Sequence, residues 1–172
     1  MKKIMPRMLY LFFLFLLFPL SASCQAKDME VEMHTQGSTF SHEFTPYEIC
    51  FDFKYNLLKR LYVKCDYERA IALFKIDENK DYYTNNMFGA KIGYTFLSIP
   101  DLDVSAVCGI GDNLQRKKNW KYSYYDTGLY AYIGHSNIRP CIGILLRKYD
   151  SHNNNFHDYT RVLFSLGFNV KM

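Results

Sequence analysis

From Tyr47 to the end of the chain, apolar residues recur at every second position, and this period constrains the fold more than any other feature. Between Tyr47 and Leu57 the odd positions hold Tyr47, Ile49, Phe51, Phe53, Tyr55 and Leu57, while Glu48, Asp52, Lys54 and Asn56 lie between them. A period of two marks a β-strand with unlike faces, whereas a helix repeats every 3.6 residues. After Leu58–Arg60 the alternation resumes at Leu61, Val63, Cys65 and Tyr67, which makes a hairpin. It returns at Phe88, Ala90, Ile92, Tyr94 and Phe96, and again at Leu102, Val104, Ala106, Cys108 and Ile110. An aromatic strand from Trp120 to Ile133 follows, then Ile138, Ile142, Ile144 and Leu146, and last Val162, Phe164, Leu166, Phe168, Val170 and Met172. Met29, Val31 and Met33, alternating with Glu30 and Glu32, supply a first strand. The pattern predicts eight strands and no helix over residues 27–172.

Leu58–Arg60, Ser98–Asp101 and Gly134–Asn137 read as tight turns, and the other four connections are expected to be longer and polar. An up-and-down order places each kind at its own end of the molecule. Two architectures accept such a chain: a soluble barrel or sandwich with apolar residues inside, and a membrane barrel with apolar residues outside. The polar face discriminates between them. It carries Glu48, Asp52, Lys54, Lys64, Asp66, Glu68, Lys91, Asp103, Asp126, Arg139, Arg147, Arg161 and Lys171, mixed in sign and interspersed with glycines. Such residues can pair across a narrow lumen, where glycines opposite large side chains relieve crowding; the interior of an eight-stranded barrel is just wide enough to be filled this way.

The chain is 17% aromatic, with 15 Tyr and 14 Phe. Tyr47, Tyr55, Tyr62, Tyr82, Tyr83, Tyr94, Trp120, Tyr122, Tyr124 and Tyr149 gather towards strand ends and are expected to form interfacial girdles. Arg69 falls on the apolar face if its strand is regular, near an interface where it can snorkel. A bulge that moves Ala70, Ala72 and Phe74 to the other face is the alternative. The same alternation puts Cys50 and Cys141 on one face and Cys65 and Cys108 on the other, as small packing residues with no assignable partners.

Lys2, Lys3 and Arg7, the apolar run Met8–Leu20 and the small residues Ser21, Ala22 and Ser23 have the order of a secretory signal peptide. Thirteen apolar residues fall short of the roughly 20 that span a bilayer as a helix. Residues 1–24 are therefore read as a signal peptide cleaved near 24–26, and 27–172 as one barrel domain. Cys24 resembles the acylated cysteine of a bacterial lipoprotein, although Ser21 stands where that motif favours a larger aliphatic residue.

Signal peptide, eight alternating strands, tight turns at one end and the terminal Phe168, Val170 and Met172 together resemble a small OmpA/OmpX-type bacterial outer-membrane barrel. The resemblance implies an all-β fold, an eight-stranded antiparallel up-and-down transmembrane β-barrel with a polar, side-chain-filled interior. It implies residence in the cell outer membrane, contact with outer-membrane lipid and lipopolysaccharide, recognition by the barrel-assembly machinery during insertion, and a monomer.

No catalytic, cofactor-binding or metal residues are assigned, and no nucleic-acid partner is expected: the net charge of +4 falls once Lys2, Lys3 and Arg7 are removed, and no basic stripe follows a phosphate backbone. Gly134–Asn137, "GHSN", partly resembles the His-x-Ser-Asn motif of outer-membrane lipid A deacylases. The spacer is missing, and neighbours on a strand point to opposite faces, so His135 and Ser136 are read as turn residues. His152 and His157 are read as loop residues, as are Arg116, Lys117, Lys118 and Lys121 beside Trp120, which could otherwise meet lipopolysaccharide phosphates. The expected role is structural or surface-interactive, neither enzymatic nor that of a general porin. The alternatives are a lipid A-modifying enzyme in the same barrel and a secreted, soluble lipocalin-like binder.

Overall fold

A computed structural model describes residues 29–38, 43–76, 79–114, 121–152 and 157–172. Residues 1–28, on which the signal-peptide and Cys24 readings fall, and Arg116–Lys118, Trp120 and Asn153–Asn155 lie outside the described residues. Eight strands follow one another: β1 (Met29–Gly37), β2 (Phe44–Asn56), β3 (Leu61–Ile76), β4 (Asn79–Ile99), β5 (Leu102–Asn113), β6 (Tyr122–Ile133), β7 (Ile138–Ser151) and β8 (Tyr159–Lys171). Each pairs antiparallel with its sequence neighbours, and β8 returns to β1, so the sheet closes and has no free side. A path straight across the ladders from Glu32 runs through Asp52, Asp66, Gly89, Gly111, Tyr124 and Tyr149 to Tyr159. Glu32 itself pairs with Asn169, ten residues further along β8. That stagger tilts the strands and sets the width of the lumen.

The alternation resolves in the order expected of a membrane barrel. Phe51, Phe164, Leu166 and Phe168 are 52, 47, 65 and 58% exposed on the outside, whereas Asp52 and Arg147 are fully buried. Apolar outside and ionic inside is the arrangement of a transmembrane barrel; the lipocalin-like alternative requires the reverse. One irregularity occurs among the described ladders. Between Thr95 and Leu97 the register with β5 shifts by one residue, and Phe96 and Leu97 both face outwards. Beyond this bulge the parity of β4 is exchanged, so Ile99 opposite Leu102 joins the apolar exterior while Ser98 opposite Asp103 faces in.

Three expectations are corrected. The third connection is not long: β3 and β4 stay paired as far as Ile76 and Asn79. No bulge occurs near Arg69, because β3 is in continuous register with both neighbours. Arg69 lies on the outside, and Ala70, Ala72 and Phe74 continue the inner row past Glu68. The apolar pattern changes faces there because the loop-side end of the lumen is itself apolar. Finally, Tyr62, Tyr122, Tyr124 and Tyr149 belong to the interior and not to a girdle. Tyr47, Tyr82 and Tyr94 are on the outside, Tyr55 and Tyr83 are half-buried, and Tyr67 and Tyr125 add to the outer set.

The inner tyrosines depend on glycines across the ladder. Tyr62 faces Gly93, Tyr124 faces Gly111 and Tyr130 faces Gly143, with each ring lying over the bare backbone. A Cβ at Gly143 would stand 2.7 Å from the Tyr130 ring, and one at Gly93 would overlap the Tyr62 ring. Gly93→Val is expected to destabilise the barrel by about 1–3 kcal/mol through overpacking. Urea titration in detergent micelles measures this, and an unchanged midpoint would show that the Tyr62 ring can leave the lumen freely.

Candidate functional site: the ionic lumen

Among the described residues, the inner faces of the strands deliver seven buried carboxylates, Glu30, Glu32, Glu48, Asp52, Asp66, Glu68 and Asp126, and five buried cations, Lys54, Lys64, Lys91, Arg139 and Arg147. Burying so many ions requires that each be paired or hydrogen-bonded. Arg147 on β7 is the centre of the network. One guanidinium nitrogen donates to Glu48 and Glu68 at 2.8 Å each, and the other to Glu68 at 2.8 Å and Asp126 at 2.6 Å. Its plane stacks on Tyr124 with 3.6 Å to the ring centroid, and the Tyr124 hydroxyl donates to Asp66 at 2.6 Å. Gln36 and Tyr149 donate to the two Glu48 oxygens at 2.6 and 2.9 Å. Lys91 stands among Asp66, Glu68 and Asp126 at 3.5, 3.5 and 3.7 Å.

Towards the tight-turn end, the Lys64 ammonium bridges Glu32 and Asp52, and Asn169 donates to the other Glu32 oxygen at 3.1 Å. His34 Nδ1 lies 3.8 Å from Asp52. At the mouth, Glu30 receives Lys54 at 3.0 Å and Arg139 at 3.2 Å, and Arg139 also donates to Asp103 at 2.6 Å. Towards the loop end the chemistry changes. Phe44, Ala70, Ala72, Phe74, Met87 and Tyr122 form an apolar plug, with Tyr83 and Tyr159 packed against it. Phe44 lies 5.0 Å from Phe74 and 4.7 Å from Tyr159 between ring centroids.

Sequence reading identified most of this lumen. Asp103, Arg161 and Lys171 take the predicted face but are only half-buried at the rims. It missed Glu30, Glu32, His34 and Gln36 as lumen residues, although their spacing of two along β1 is the signal that finds them. Among the described residues, two groups have metal-binding composition, Glu32 with His34 and Asp52, and Glu48 with Cys50 and Glu68. Glu32 is engaged by the Lys64 ammonium and Asn169, and Glu48 and Glu68 by the Arg147 guanidinium, while Asp52 Oδ1 and His34 Nδ1 have no hydrogen-bond partner among the described residues.

The histidines of the turn and the outer rim make local contacts. His135 lies on the β6–β7 turn and meets Asp101 of the neighbouring turn at 3.4 Å, while Ser136 donates to the carbonyl of Ile138. His152 Nε2 lies 2.6 Å from Ser123 and 3.9 Å from Asp112 on the outer rim. Serine and carboxylate thus approach the same ring nitrogen, whereas a triad holds its carboxylate at the opposite one. His157 is exposed. Cys50 and Cys141 are buried, Cys65 and Cys108 are exposed, and all four are free thiols.

No family model matches the chain, and no curated protein matches it. Solved structures match its fold. A barrel from the de novo design of transmembrane β-barrels superposes with a TM-score of 0.52 at 12% identity, covering 86% of this chain and 98% of the design. The Yersinia pestis outer membrane protein Ail, in a phospholipid bilayer nanodisc, gives 0.50 at 10% identity, covering 84% of this chain and 98% of Ail. At these identities the likeness is one of fold alone, that of eight-stranded membrane barrels.

Proposed function

We propose that the chain is a monomeric integral protein of the bacterial outer membrane with a structural or surface-interaction role, neither an enzyme nor a general porin. In this reading the barrel-assembly machinery inserts it, outer-membrane lipid and lipopolysaccharide surround it, and nucleic acid is not a partner. The tight turns face the periplasm, and the longer connections face the outside.

The observation that carries this reading is the filled lumen. Arg147, Glu48, Glu68 and Asp52 are wholly buried in mid-barrel, and the Phe44–Phe74–Tyr122 plug closes the loop side. General diffusion needs a continuous aqueous path, which wide barrels of 16–18 strands provide. The local bonding of His135 and Ser136 supports their reading as turn residues and gives no support to a lipid A-modifying enzyme built on them. Reconstitution into planar bilayers tests the proposal: the folded protein, recognised by heat-modifiable gel migration, is expected to produce no ohmic conductance steps. Stable open-channel currents would refute the sealed barrel, and release from membranes by alkali would refute integration.

A further inference from the structure

Beyond a structural role, we propose that the turn-side mouth of the barrel is a binding site for a small multivalent anion, a phosphorylated or polycarboxylated solute. A cavity of about 540 Å³ opens there, lined from β1, β2, β4, β5, β6, β7, β8 and the β2–β3 turn. Its size is that of small-molecule sites, roughly 300–1,000 Å³. The wall is mostly polar, and its ionic residues are four cations, Lys54, Lys59, Arg139 and Lys171, against two carboxylates, Glu30 and Asp103.

The division of labour among the cations selects the ligand. Lys54 and Arg139 are buried and already engage Glu30 and Asp103, so they form a rigid floor. Lys54 is held further by the rings of Tyr62 and Tyr132, with 4.3 and 4.6 Å to their centroids. Lys59 is exposed and Lys171 half-buried, and neither makes an ion pair among the described residues, so the surplus positive charge lies on the solvent side of the mouth. An anion gains from that surplus, and a ligand with several charged oxygens can meet the rim and the floor together. Phosphate and carboxylate oxygens present the same chemistry to lysine and arginine, and the experiment separates them.

The full chain, refolded into zwitterionic micelles at constant ionic strength, is titrated with inorganic pyrophosphate and, separately, with citrate. Backbone NMR shifts are followed at Asn56, Thr95, Ser98 and Asp103. Saturable shifts at the mouth are expected for at least one probe, and the responding probe identifies the preferred class. Reversing both rim charges, Lys59→Glu with Lys171→Glu, is expected to weaken binding by about tenfold or more, since like charges then face the anion. If that variant does not fold, Lys59→Gln with Lys171→Gln is expected to weaken binding in the same direction. The proposal is overturned if neither probe gives saturable shifts, if sucrose gives the same shifts, or if the rim variants bind as tightly as the parent.

Discussion

Arg147→Met is expected to destabilise the barrel by about 3–5 kcal/mol, the cost of removing one partner from a buried ion pair. The guanidinium joins Glu48, Glu68 and Asp126, carried by β2, β3 and β6, to β7. Without it these carboxylates remain buried, and Lys91, 3.5 Å from Glu68 and 3.7 Å from Asp126, cannot also reach Glu48 in the present arrangement. Arg147→Lys keeps the charge but loses the two-sided fork, so it is expected to recover only part of the loss. Urea unfolding in lipid vesicles, read by heat-modifiable migration, measures both variants. Because the four groups form one network, adding Glu68→Gln to Arg147→Met is expected to cost less than the sum of the single changes. Additive losses, or a stable Arg147→Met protein, would show that the interior is wet enough to solvate these carboxylates separately.

The second large effect concerns the outer face. Leu166 on β8 is 65% exposed, flanked on its own strand by Phe164 and Phe168 and paired across the ladders with Ile142 and Thr35. On a water-facing surface, Leu166→Arg would be nearly neutral. Facing hydrocarbon near mid-membrane, it is expected to cost about 2–4 kcal/mol. Thr160→Arg, on the same face at the loop-side end of β8, is expected to cost about 0–1 kcal/mol, because an interfacial arginine can snorkel. Equal small effects at both positions would contradict a bilayer around the barrel. Arg69 is the natural counterpart of such a charge, outward-facing and opposite Ile49 and Asn86.

How much of this could be read from residues alone depends on how unlike the two faces of each strand are. In β2, β7 and β8 ionic or small residues alternate with aliphatic and aromatic ones, so both the strands and the inward face of Asp52, Lys54, Arg139 and Arg147 are legible. In β6 the inner row is itself aromatic, with Tyr122, Tyr124 and Tyr130 in line with Asp126 while Tyr125 turns out, so aromatic character does not mark the outer face there. The same difficulty applies at Ala70, Ala72 and Phe74, where an apolar inner row imitates a change of face. Glycines resolve part of it, because Gly93, Gly111 and Gly143 lie directly across the ladder from the inner tyrosines.

Sequence by itself determined the strand count, the three tight turns, and a chain with one apolar and one ionic face, because side-chain direction along a strand follows from local backbone geometry. Tertiary structure decided which ions meet. Glu48 and Arg147 lie on strands far apart in the order and come within 2.8 Å because closure and stagger bring β2 and β7 across one narrow lumen. It also decided where that lumen is plugged and where it stays open. Those outcomes depend on the registers of eight ladders taken together, and no stretch of the chain encodes them locally.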